Sequence, residues 1–314
     1  MKSASVARLD GFRSWLSKIW KKGSLYNIVV YILLIDLAFI FLYPFIYMLV
    51  TSFKSYNDIM DVTVKWYPKE FTPENWVRAF EGLNFKQTFP NSIFVTVVAT
   101  IGHVLSCSFI AYGFARYRFP LKKVLFFGVL LTIIVPIQTI IIPQYRMFSQ
   151  MGMMDTYLPM LLPTFLGFGL KGGLFIFLFR QFFLRLPASL EEAAEIDGTN
   201  PFMTYVKIIL PTSAPVLLVC IVLSFVWHWN DSFEPSLYLT DSAKWLLPQA
   251  LPEMYQRLQD LESAVTEGEL ELREVYNEAV VMAGTGIAVL PLMALYLMVQ
   301  NKFVESIDRT GLVE

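Results

Sequence analysis

The stretch Leu186-Pro187-Ala188-Ser189-Leu190-Glu191-Glu192-Ala193-Ala194-Glu195-Ile196-Asp197-Gly198-Thr199-Asn200-Pro201 is a polar island between two long apolar runs. Its spacing is regular: Glu192-Ala193-Ala194, then Gly198 after three residues, Ile208 after nine more, and Leu210-Pro211 after one. Ser189 and Glu192 fit S-x-x-E, the capping box that opens a helix. Glu191 and Glu192 favour the positive end of that helix. Ala193 and Ala194 are strong helix formers with small side chains. Gly198 suits the left-handed residue that ends a helix. Asn200-Pro201 reads as a cap and first-turn proline of a second short helix. Pro211 and Pro215 separate that helix from the apolar run beyond. The expectation is a stiff helix–turn–helix knob, polar on one side. Its acids Glu191, Glu192, Glu195 and Asp197 can form charge-assisted contacts with basic groups of a partner.

The apolar runs around the knob set the fold class. The chain has 314 residues, 55% hydrophobic and 16% charged, with a mean hydropathy of +0.52. A soluble domain carries about 25% charged residues. A helix needs about 20 apolar residues to cross a bilayer, and six runs qualify: 26–51, 89–115, 124–145, 158–183, 206–230 and 279–300. The expected fold is all-α, a polytopic bundle of six membrane spans. It divides into a segment 1–25, a spanning domain 26–301 and a tail 302–314. The net charge of −1 and the absence of a basic run give no sign of a nucleic-acid partner. Cys107 and Cys220 both sit inside apolar runs, as small core residues do.

Basic residues orient the bundle. With both termini cytoplasmic, Arg116, Arg118, Lys122 and Lys123 share one short inner loop that has no acid. The first run is too long for the core of a cleaved signal peptide, and no small-x-small site follows it. Ahead of it, Phe12, Trp15, Leu16 and Ile19 recur at helical spacing among Arg13, Lys18, Lys21 and Lys22. That pattern suits an amphipathic helix at the inner interface; the alternative is a basic tail that only sets topology.

The full spacing of the polar island resembles the EAA loop of permease subunits of bacterial ABC importers. Further stretches are similar to the carbohydrate-uptake branch: Arg180-Gln181-Phe182-Phe183, Trp229-Asn230-Asp231-Ser232-Phe233-Glu234-Pro235, and Ala111-Tyr112-Gly113-Phe114-Ala115-Arg116 with Phe119-Pro120. Phe53-Lys54-Ser55 and Thr72-Pro73-Glu74-Asn75-Trp76 match as well. The arrangement looks like the six-span permease of maltose-type transporters. The resemblance implies a place in the bacterial cytoplasmic membrane, an ATPase dimer, a second, different permease and an extracytoplasmic solute-binding protein. It implies that Glu191, Glu192, Ala193, Ala194, Asp197, Gly198, Ile208 and Pro211, in a loop of about 187–211, dock the ATPase. It implies a carbohydrate or related solute, with a non-sugar solute as the alternative. One departure is the outer loop 231–278, whose part 253–278 is long and acidic. Leu258, Leu261, Val265 and Leu272 there are spaced for an amphipathic helix.

Ionisable groups inside apolar runs are candidate path residues. Lys171 lies within Gly167-Phe168-Gly169-Leu170-Lys171-Gly172-Gly173. Such a segment is expected to bend or unwind, and irregular backbone in a membrane must face a cavity or protein. Snorkelling to the outer interface is the alternative for Lys171. Asn230 and Asp231, ending the fifth run, join it as path candidates. Asp36 and His103 read as hydrogen-bonding groups between helices, and His228, between Trp227 and Trp229, as part of an interfacial aromatic belt. No catalytic set, metal cluster or cofactor motif stands out. There is no G-x-x-x-x-G-K-[ST] loop, so ATP hydrolysis falls to a separate subunit. A secondary transporter or a membrane-embedded enzyme are the readings from other classes. The first lacks evident inverted repeats and the second lacks a catalytic constellation.

Overall fold

The computed structural model describes residues 24–263 and 277–311. The amphipathic segment expected at 12–19, and Val265 and Leu272 of the acidic stretch, lie outside the described residues. In chain order the helices are α1 (Ser24–Ser52), α2 (Tyr56–Met60), α3 (Glu74–Gly82), α4 (Phe85–Arg116), α5 (Lys122–Ile134), α6 (Ile137–Gln150) and α7 (Leu158–Phe165). They continue with α8 (Gly172–Arg185), α9 (Ser189–Ile196), α10 (Pro201–Thr212), α11 (Ala214–Asn230), α12 (Phe233–Tyr238), α13 (Leu247–Ser263) and α14 (Glu278–Gly311). No strand occurs among the described residues.

Three helices are long and apolar enough to cross a membrane alone: α1, α4 and α14. Up to six spans result when each bent helix pair is taken as one. The third and fourth expected runs are therefore not straight spans. α5 meets α6 at 102°. The break falls at Val135-Pro136, both in extended backbone. Proline disfavours helical backbone in the residue before it, so the turn sits there. The fourth run is interrupted between α7 and α8. Gly167 (φ +74°), Gly169 (φ +93°) and Lys171 (φ +64°) are all left-handed there, a conformation no helix can carry through.

α4 is the axis of the bundle and packs most extensively on α8. The side it buries is made of small and hydroxyl residues such as Ser92, Thr96, Ala99, Gly102 and Cys107. Small residues let backbones approach closely where lipid supplies no hydrophobic drive. A Cβ on Gly102 would run into the Thr164 hydroxyl. One core joins α4, α8 and α10 around Phe175, Phe179, Phe183 and Ile209. A second holds Trp229 and Leu247 against α14. α1 is exposed along most of its length, rests on α14, and is buried at its end, Thr51 and Ser52, where Asn75 and Trp76 of α3 reach it.

The Phe53-Lys54-Ser55 and Asn75-Trp76 stretches turn out to fasten the connection between α1 and α4. Asn75 Nδ2 donates to the Ser52 and Lys54 carbonyls at 3.0 and 2.9 Å. Buried Lys54 donates to the Val64 and Lys65 carbonyls. Phe53 stacks between Phe71 and Trp76.

Candidate functional site

α9 and α10 build the knob. Gly198 takes φ +75° and closes α9: its N–H donates to the Glu195 carbonyl, and that of Thr199 to the Ala194 carbonyl, both at 2.9 Å. The Asn200 side chain accepts from Met203 N at 2.8 Å, with Pro201 in the first turn of α10. The start of α9 differs from expectation. Its N-cap is Ala188, and Ser189 already lies inside the helix without a capping bond. The Ala188 carbonyl accepts from Glu191 N and Glu192 N instead. α10 slips into a π-turn at Tyr205–Ile209. Pro211 has no N–H for the carbonyl four residues back, and the wider turn absorbs that loss. An 81° bend at Ser213 then leads into α11.

The knob is anchored to α4. Arg116 Nε lies 3.1 Å from Glu191 Oε2, and its guanidinium donates to the Leu186 carbonyl at 2.9 Å. The Tyr205 hydroxyl meets that of Ser108 at 2.7 Å. Nearby, Arg180 lies 4.0 Å above the Phe126 ring.

The second feature is a cavity of about 670 Å³. Its walls are the α5–α6 break, the 168–174 segment, Asp231, Phe233 and Glu234. Behind it, His103 Nε2 donates to the Phe168 carbonyl at 3.1 Å and Ser106 to that of Thr164 at 2.5 Å. With Cys107 Sγ donating to the Gly172 carbonyl at 3.6 Å, α4 thus holds both ends of the fourth-run break. Asp231 accepts from Phe233 N and Glu234 N at 3.0 and 3.4 Å. Glu234 is only 6% exposed. Burial, and then the Asp231 charge, push its carboxyl up to about 8. Among the described residues no group of three or more His, Cys, Asp and Glu could hold a metal ion.

Residues 105–309 match the family of binding-protein-dependent transport system inner membrane components. The chain belongs to this family. The permease is 32% identical over 213 residues to a probable ABC transporter permease of Pyrococcus horikoshii, covering 67% of this chain and 76% of that one. It is 27% identical to the sn-glycerol-3-phosphate transport system permease of Rhizobium meliloti, covering 92% and 99%. The same identity links it to the polygalacturonan/rhamnogalacturonan transport permease of Bacillus subtilis, covering 90% and 96%. Its fold resembles a chain of a bacterial ABC transporter involved in importing the acidic polysaccharide alginate, with TM-score 0.74, 24% identity and coverage of 89% and 96%. As an inner membrane transport component the permease is not itself an enzyme. The family implies an ATPase and a solute-binding protein as partners.

Several expected residues of the permease lie elsewhere than anticipated. Ala194 is buried at 2% exposure and cannot form an approach surface. Glu191 is engaged by Arg116 rather than free. Glu192, Ala193, Asp197, Gly198 and Pro211 are exposed, and Ile208 is half-buried. Lys171 and Asp231 do line one cavity. Asn230 does not, since its amide turns back to the Val226 carbonyl at 2.8 Å. His228 is buried, its ring 5.0 Å from that of His103, and is no interfacial belt residue. Two features escaped the sequence reading. Ile196 and Phe202 put apolar surface on the knob, 87% and 58% exposed. Glu234, an acid three residues beyond Asp231 and just after the fifth apolar run, was the available signal for the cavity wall.

Proposed function

We propose that this chain is the permease subunit of an ATP-driven importer for a carbohydrate or related solute, supplying half of the path beside a second, different permease. Coupling to the ATPase runs through the knob of residues 187–211. The observation that carries this reading is the construction of the knob. It is a short, capped, internally hydrogen-bonded element tied to the central helix, with Glu192, Ile196 and Phe202 left exposed. A rigid element of this kind transmits a partner's displacement, and its exposed acid and apolar groups are the chemistry of a docking surface. The cavity beside Lys171 and Asp231 is this chain's share of the path. The glycerophosphate and pectic-polysaccharide names of its relatives support a hydroxylated solute.

Glu192→Lys tests the coupling. The variant reaches the membrane at normal levels but retains less ATPase on purification and transports less. Wild-type ATPase retention and wild-type transport in that variant overturn the assignment. The acid-free basic loop at 116–123 supports both termini being cytoplasmic. Thiol labelling of Lys122→Cys from outside intact cells would contradict that orientation.

A further inference from the structure

We propose that Glu234 and Asp231 form a contact point for a neutral, hydroxyl-rich solute on the cavity wall, and that they disfavour solutes bearing carboxylates. This rests on the importer reading above and adds to it a residue and a solute class.

Glu234 is 94% removed from solvent by its 6% exposure, and it borders the cavity. Its carboxyl makes no hydrogen bond among the described residues, although buried polar groups are nearly always paired. The open side is the cavity side. One helical turn on, the Tyr238 hydroxyl is also buried without a hydrogen-bond partner among the described residues, but its ring packs against Tyr145 and Phe148 and does not line the cavity.

The chemistry of the wall suits hydroxyl groups. With its carboxyl held up to about 8 by burial and by Asp231, Glu234 keeps its proton at neutral pH. A protonated carboxyl both donates and accepts, as hydroxyls do. Phe168 and Phe233, each partly exposed in the lining, add apolar faces. The volume of about 670 Å³ falls in the range of about 300–1,000 Å³ usual for small-molecule sites. A solute carboxylate beside Glu234 would meet the same burial and the same Asp231 charge that keep Glu234 from ionising.

The test uses the complete importer in proteoliposomes. It is offered two defined mixtures, one of neutral malto-, xylo- and galacto-oligosaccharides and one of uronate oligosaccharides. Internalised species are read by mass spectrometry. The expected result is uptake from the neutral mixture alone. Glu234→Ala cuts that uptake about tenfold, the effect of one lost buried hydrogen bond, with partner subunits co-purifying in normal amounts. Glu234→Gln, which keeps a donor and an acceptor, retains more uptake than Glu234→Ala. Preferred uptake of uronates overturns the discrimination. Neutral uptake that survives Glu234→Ala at the wild-type rate overturns the contact point while leaving the importer reading intact. Loss of a co-purifying subunit in Glu234→Ala assigns the carboxyl to a protein interface and overturns it equally. Uptake from neither mixture removes the carbohydrate reading and the solute class together.

Discussion

The two ends of α8 adjoin regions that differ in how their polar groups are paired. At the Arg185 end most groups around the knob find partners within the chain, although the buried atoms Arg116 Nε and Glu191 Oε1, on the two sides of the ion pair, make no hydrogen bond of their own. Arg116 holds Glu191 and the Leu186 carbonyl, Asn200 caps α10, and the Ala194 and Glu195 carbonyls are both engaged. At the Gly172 end, buried Glu234 borders the cavity and its carboxyl takes part in no hydrogen bond among the described residues. The backbone differs in the same sense. The knob needs one left-handed residue, Gly198, whereas the cavity wall needs Gly167, Gly169 and Lys171. Under the proposed function, the knob as a force-transmitting region gains from internal closure, because satisfied groups stiffen it. The cavity, as the solute-facing region of that proposal, leaves donors and acceptors open, at a cost in stability that the surrounding helices offset.

The contrast can be broken most strongly at glycines. At the cavity end, a Cβ on Gly173 would meet the Thr132 hydroxyl and come within 2.9 Å of the Val129 carbonyl oxygen. Gly173→Val is expected to destabilise the permease by about 3 kcal/mol through overpacking between α5 and α8. Thermal unfolding of the purified chain reads this, and an unchanged midpoint would mean the two helices are not packed as described.

Next in size is the knob's anchor. Arg116→Ala leaves the largely buried Glu191 carboxylate without its ion-pair partner and is expected to cost about 2 kcal/mol. If the pair is the cause, Glu191→Ala in the Arg116→Ala background adds little further loss. A double-mutant cycle that comes out additive would mean that Arg116 acts independently of Glu191.

The smallest effect is expected at Gly198, where nothing lies within 4 Å of an added Cβ. Gly198→Ala is expected to cost about 1 kcal/mol, from backbone strain alone. A loss as large as that of Gly173→Val would mean that the knob is packed against a neighbour rather than standing free.

Much of this arrangement was legible in the residues. Gly198 and Asn200-Pro201 announced the turn and the cap of the knob, because left-handed backbone and an N-cap each demand particular side chains over a few residues. Gly167-Phe168-Gly169 announced a break for the same reason. The lengths of apolar run placed α1 and α4 within four residues of their observed ends and α14 within one residue of its start, though α14 runs on to Gly311. The start of α9 was misjudged because S-x-x-E also fits a serine one residue inside a helix. The bend in the third run was not evident from its apolar length, which continues past Pro136.

What the sequence determined by itself was local or periodic. It settled the membrane class, the apolar runs, the knob's turn chemistry and the family resemblance. Tertiary structure alone decided which groups meet across distance. The Arg116–Glu191 pair spans 75 positions of chain and the His103–Phe168 bond 65. Neither residue type nor spacing encodes such a pairing, which depends on how α4 lies against α8. The same holds for the convergence of Lys171, Asp231 and Glu234 on one cavity. Three separate interruptions of helix meet there, and only close packing of the bundle brings them to one place.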